Sequence, residues 1–163
     1  MIRRTKLTLC FLGCFVLFLG NLYSQEVNAN TVWPELKKNK VYGTVGSLGL
    51  SFIHYSISVE RTLWNTNGLI TNISARLGGG GWGGWTAGGT HFIGTIHALT
   101  GYRTFHFELN LGASYIRDTS DDDYAVFPAA ALGFRLQKPG DYFLFRFGGG
   151  FPEGGYLSLG IAF

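Results

Sequence analysis

Residues 155–163 read Gly-Tyr-Leu-Ser-Leu-Gly-Ile-Ala-Phe. In an extended strand, Leu157, Leu159, Ile161 and Phe163 share one face, and Tyr156, Ser158, Gly160 and Ala162 share the other. Such period-two alternation marks a strand with two different surroundings. The same pattern recurs through most of the chain, so it can only fold into a sheet with one apolar face. A strand flush against the terminus and ending on Phe163 suits a sheet that closes on itself, because its last strand must pair with its first.

Turn residues divide the sequence into eight expected strands, over residues 41–47, 50–63, 69–77, 90–100, 105–117, 126–137, 142–147 and 155–163. The clearest is 105–117. Phe107, Leu109, Leu111, Ala113 and Tyr115 alternate there with His106, Glu108, Asn110, Gly112 and Ser114. In the second strand Ile53, Tyr55, Ile57 and Val59 oppose His54, Ser56, Ser58 and Glu60, and in the third Leu69, Ile73, Ala75 and Leu77 oppose Asn72, Ser74 and Arg76. The seventh sets Phe143, Phe145 and Phe147 against Tyr142, Leu144 and Arg146. The facing of the fourth is not legible. Pro128 has no amide to donate and belongs near a rim or bulge. Asn67-Gly68 is a turn that favours positive φ.

The charged fraction is 14%, against about 25% in ordinary soluble domains. No segment after residue 40 is long and apolar enough for a transmembrane helix. The minority face is rich in small residues (Ala129, Ala131, Gly133, Ser158, Gly160, Ala162). That is a poor soluble exterior but a good filling for a narrow barrel. Tyr42, Trp64, Tyr102, Tyr115 and Tyr142 are placed for interfacial girdles. The expected fold is all-β, an eight-stranded antiparallel up-and-down transmembrane β-barrel over residues 41–163.

The N-terminus reads as a secretory signal over residues 1–24. Arg3, Arg4 and Lys6 form a basic start, an apolar run follows, and a cleavage site lies before Gln25. Both cysteines, Cys10 and Cys14, fall inside it, which leaves no thiol chemistry to the mature chain. Without those three basic residues, ten Lys and Arg balance ten Asp and Glu, so no charge excess points to nucleic acid. Residues 25–40, with Pro34, Lys37, Lys38 and Lys40, read as a periplasmic tail. The outer membrane is the expected location. Connections at 65–68, 101–104 and 138–141 are then periplasmic, and longer ones at 78–89, 118–124 and 148–154 are external.

Five charges fall on the inner face: Glu60, Arg76, Glu108, Arg135 and Arg146. In so narrow a lumen they must pair, since unpaired buried charge is costly. An ionic plug that fills and registers the barrel is the expected outcome; a gated ion path is the alternative.

Several of these segments carry motifs in a telling order: Val59-Glu60-Arg61, then Ser74-Ala75-Arg76-Leu77-Gly78, then 107–115, then Gly133-Phe134-Arg135 and Phe145-Arg146-Phe147-Gly148. Over about Lys40 to Phe163 the set resembles the small outer-membrane β-barrel proteins common in Bacteroidetes-type bacteria. The resemblance implies an eight-stranded barrel, an outer-membrane location and mostly unassigned function. It brings no catalytic residues.

The expected function is non-enzymatic: a structural or surface-interaction role through the external loops, with Trp82 and Trp85 in one and Asp121, Asp122 and Asp123 in another. The acidic loop lacks the spacing of a known calcium loop, so no metal or cofactor is expected. Expected partners are outer-membrane lipid and lipopolysaccharide, and the barrel-assembly machinery through the strand ending at Phe163. A monomer and no nucleic acid complete the expectation. The alternative is a lipid A-modifying barrel enzyme, an acyl hydrolase or transferase, with His54 and Ser56 as base and nucleophile. His54-Tyr55-Ser56 is not followed by the Asn of the His-x-Ser-Asn pattern in known lipid A deacylases.

Overall fold

The computed structural model describes residues 35–47, 52–66, 68–85, 87–101, 103–119 and 123–163. The expected signal, residues 25–34 of the expected tail, Asn67, Tyr102, Asp121 and Asp122 lie outside the described residues. Eight strands follow in order: β1 (Asn39–Ser47), β2 (Phe52–Asn65), β3 (Ile70–Gly84), β4 (Gly88–Thr100), β5 (Phe105–Asp118), β6 (Tyr124–Leu136), β7 (Phe143–Phe151) and β8 (Gly154–Ala162). Each pairs antiparallel with its sequence neighbours, and β1 pairs with β8 to close the barrel. The closing seam runs from Lys40↔Ala162 to Ser47↔Gly155. Closure gives every strand a neighbour on both sides.

Alternation sets the facing as the sequence predicts. Ile53, Tyr55, Ile57 and Val59 are exposed, while His54, Ser56, Ser58 and Glu60 are buried. Leu157, Leu159, Ile161 and Phe163 are exposed against buried Tyr156, Ser158 and Ala162. In β4, His91, Ile93, Thr95, His97 and Leu99 face inward. The barrel is therefore inverted relative to a soluble one, with an apolar wall outside and polar side chains inside.

The connections differ from expectation. Residues 78–89 are not a loop: β3 runs to Gly84, β4 starts at Gly88, and Gly78 to Gly83 pair along both neighbours. Residues 148–154 are mostly strand as well, with only Pro152 and Glu153 turning between β7 and β8. Glycine carries no facing signal, so these ladders read as loops in the sequence. The connections are short at both ends, and the expected contrast between short and long ends is absent. Asn67 of the expected Asn-Gly turn lies outside the described residues; Gly101 and Gly140 take positive φ, at 91° and 79°, in the turns after β4 and β6. Pro128 pairs with Ala113 on β5, and β6 meets β7 only from Ala130 onward. Pro128 thus sits toward the rim, as expected.

Inward glycines make room for large neighbours. A β-carbon on Gly133 would stand 2.5 Å from the Tyr156 hydroxyl and 2.6 Å from the Phe147 carbonyl oxygen. The second contact is with backbone, which cannot swing away. Gly133→Val is expected to lower the unfolding free energy by about 1–3 kcal/mol, as overpacking does, in denaturant titrations of the refolded barrel. A change within experimental error would mean that Tyr156 does not pack against this strand.

Candidate functional site

The interior is layered. At the end of the barrel where β1 starts and β8 stops, taken as its terminal end, Leu36, Leu99, Leu144 and Ala162 are buried. Next comes an ionic core built on two carboxylates. Glu60 on β2 accepts both terminal nitrogens of Arg135 at 2.7 Å, Lys40 Nζ at 2.9 Å, Ser74 Oγ at 2.7 Å and the Tyr42 hydroxyl at 3.1 Å. Glu108 on β5 accepts Arg135 Nε at 2.7 Å and is gripped by Arg146 through Nε and Nη2. Arg135 on β6 is therefore shared, and charges alternate along Lys40, Glu60, Arg135, Glu108 and Arg146. His97 closes the centre. Its Nδ1 lies 3.2 Å from Glu60 and 3.6 Å from Glu108, and its Nε2 bonds the Thr95 hydroxyl at 2.8 Å. These side chains come from strands on every side of the barrel.

Arg76 stands apart. Glu60 is its neighbour across β2 and β3, but Arg76 instead holds Glu153 through two terminal nitrogens, at 3.1 and 2.8 Å, and Ser58 Oγ through Nε at 3.0 Å. Glu60 is already saturated, since a carboxylate offers about four lone-pair sites. Among the described residues, four cations, Lys40, Arg76, Arg135 and Arg146, thus meet three buried carboxylates. Aromatic faces offset part of the excess: the Arg146 guanidinium lies 4.5 Å from the Tyr42 ring centre and 5.5 Å from that of Tyr156.

All five charges expected in the lumen are buried, and the structure joins Glu60, Glu108, Arg135 and Arg146 in one network and sends Arg76 to Glu153. Sequence reasoning missed four members. Lys40 was assigned to the tail but belongs to β1, where it pairs across from Glu60. Tyr42, expected in an interfacial girdle, is buried; its parity with Thr44 was the available signal. Glu153 looked like a loop residue between Pro152 and Gly154. His97 sat in the strand whose facing was not legible.

The other expected sites are scattered. Trp82 lies within β3, not a loop; Trp85 is exposed at the turn after it, and Asp123 is exposed just before β6. His54 and Ser56 both point inside, and no hydrogen bond joins them; Ser56 Oγ has no hydrogen-bond partner among the described residues. Among those residues no group of three His, Cys, Asp or Glu side chains is placed to hold a metal ion. Beyond the Arg76–Glu153 pair, at the end away from the termini, a cavity of about 240 Å³ opens beneath Phe52, Trp82 and Phe127.

Glu153 lies in the turn after β7. Burial alone would raise its carboxyl, but the facing Arg76 guanidinium, with smaller help from Arg146 and His54, holds it below the ordinary carboxylate range. A depressed carboxyl stabilises the folded state above its unfolded pKa, and that contribution is lost as pH falls through the folded value. Glu153→Gln should flatten this acid-side loss in unfolding titrations run below neutrality; an unchanged pH profile would mean that the Arg76 pair does not form. In the deeper network Glu108→Ala leaves Arg146 without its carboxylate and is expected to cost about 3–5 kcal/mol. Glu108→Arg is expected to yield no folded barrel at all, checked by mobility on unheated SDS gels.

No protein-family model matches this sequence, and no curated protein matches it.

Proposed function

We propose that the protein is an outer-membrane barrel of the small Bacteroidetes type, with a structural role and a lumen closed to ions by its ionic core. One observation carries this reading: the inverted polarity of the wall. Ile57, Leu77, Leu159 and Ile161 are each more than half exposed on the outer face, at 69%, 68%, 59% and 58%, while Arg135, Arg146 and Glu108 are fully buried within. Soluble monomers seldom expose apolar patches beyond a few hundred Å². In hydrocarbon the same wall is in its proper solvent, and closure pairs the backbone of each strand along both neighbours.

Strand length agrees. The strands run from 9 to 15 residues, and a tilted transmembrane strand needs about 9–11. Aromatic side chains stand at both ends of the wall: Trp64 and Tyr142 toward the termini, Trp85 and Tyr124 at the far end, all exposed. They suit the two interfacial belts. The far-end turns, 85–87 and 152–153 among them, are too short to offer a large loop surface. Any surface-interaction role therefore rests on the rim and mouth more than on extended loops.

The ionic core supports a sealed lumen. Conduction needs a path in which charges bind ions weakly enough to release them, and here each carboxylate is already occupied by at least one guanidinium. The lipid A-modifying alternative gains nothing from the geometry. His54 and Ser56 face the lumen, away from the outer wall where an acyl chain would run.

The test begins with the mature protein refolded in detergent micelles and run on SDS gels with and without heating. A heat-dependent mobility shift is expected, together with insertion into lipid vesicles. A folded monomer in plain buffer with no shift would overturn the membrane reading. In planar bilayers the inserted protein is expected to give no steady conductance; regular unit steps would overturn the sealed lumen.

A further inference from the structure

The cavity at the end away from the termini combines an apolar mouth with an unsatisfied polar floor. Phe52, Trp82, Ile116 and Phe127 occupy inward positions near the ends of β2, β3, β5 and β6. The Phe52 and Trp82 rings lie 5.9 Å apart, and Phe127 meets Phe151 edge-on at 5.8 Å. Below them, His54 and His91 stand edge to face with ring centres 5.5 Å apart. Both are more than nine-tenths buried, at 8% and 5% exposure. Yet His54 Nε2, both ring nitrogens of His91 and the Trp82 indole nitrogen have no hydrogen-bond partner among the described residues. Buried polar groups are nearly always satisfied, and a cluster of exceptions in one cavity calls for a physical reason.

We propose that this cavity binds a small neutral aromatic molecule bearing a hydroxyl group, the ring held between the aromatic walls and the hydroxyl bonded to His54 and His91. Three features select that chemistry. The first is size: an apolar cavity of roughly 150 Å³ accommodates benzene, and this one, at about 240 Å³, takes one substituted ring. The second is hydrogen bonding. A neutral imidazole offers one donor and one acceptor, and a hydroxyl answers both. The third is charge. Glu153, at 4.0 Å from His54 Nε2, is held on both oxygens by Arg76. Neither charge is free for a ligand, so an anion or a cation would be desolvated without a counter-charge. Gly46 keeps the floor open, since a β-carbon there would overlap the His54 ring. The inference rests on the closed barrel and not on its location, so it stands or falls separately from the membrane reading.

The test is a titration of the refolded chain, labelled with ¹⁵N at its histidine rings, using phenol, toluene, benzoate and benzylammonium in turn. Phenol is expected to shift the His54 and His91 ring signals saturably and to bind more tightly than the other three. His91→Leu is expected to weaken phenol roughly five-fold or more, the loss of about one hydrogen bond, and His91→Asn, which keeps a donor and an acceptor, to retain most of the affinity. Three results would each overturn the proposal: toluene binding as well as phenol, a charged probe binding more tightly, or no saturable shift at either histidine. The comparison among probes uses the unaltered protein, so it decides the matter even if a variant does not fold.

Discussion

The shared guanidinium of Arg135 is the contact on which the rest of the interior depends. It spans Glu60 on β2 and Glu108 on β5, strands that the sheet itself does not pair. Backbone ladders fix each strand only against its two neighbours, whereas the Arg135 bonds fix one wall of the barrel against another. Replacing such a network by apolar groups is often neutral or better for stability, and what buried charge provides is a defined arrangement. Register is where that matters most in a barrel. A slip of one residue on a strand turns its inward set to the outside, and on β2, β3, β5, β6 or β7 it would put a charge on the apolar outer wall and leave its partner unpaired within.

The same constraint explains the distribution of small residues. Three arginines, a lysine, two tyrosines and four histidines cannot all fit inside eight strands unless facing positions give way. Gly133 yields to Tyr156, Gly46 yields to His54, and Ala129 and Ala131 are buried along β6. The large groups crowd toward the termini, where Lys40, Glu60, His97, Glu108, Arg135 and Arg146 meet. Toward the other end inward glycines such as Gly46 alternate with His54, His91 and Trp82, and the lumen keeps the cavity under Trp82. A filled half and an open half thus follow from where one sequence places its bulk.

Most of the architecture was legible in the sequence because facing in a strand is a matter of parity alone. Once Ile57 and Leu159 were taken as one kind of position and Glu60 and Ser158 as the other, the strand count and the inward charges followed. Legibility ended where parity had nothing to act on. Gly78 to Gly84 include six glycines around Trp82, and only their pairing with β2 and β4 shows them as strand. Glu153 could not be read as a lumen residue, because the turn that delivers it to Arg76 has Pro and Gly on either side, the usual mark of an exposed loop.

Partner choice within the lumen was illegible for a different reason. Glu60 and Arg76 sit opposite each other on paired strands, the arrangement that cross-strand rules favour, yet the structure does not bond them. Inside a narrow barrel, distance across the lumen is as short as distance along the sheet, so every inward charge competes for every other. Arg135 reaches Glu60 with two nitrogens and Lys40 with a third donor from the other side, and the carboxylate is full. Arg76 must then turn toward the mouth, where Glu153 is the only carboxylate left among the described lumen residues. That displacement brings a neutralised ion pair to the floor of the cavity, beside two histidines with three ring nitrogens that no hydrogen bond satisfies among the described residues. The packing of charge at one end of the barrel thereby sets the chemistry at the other.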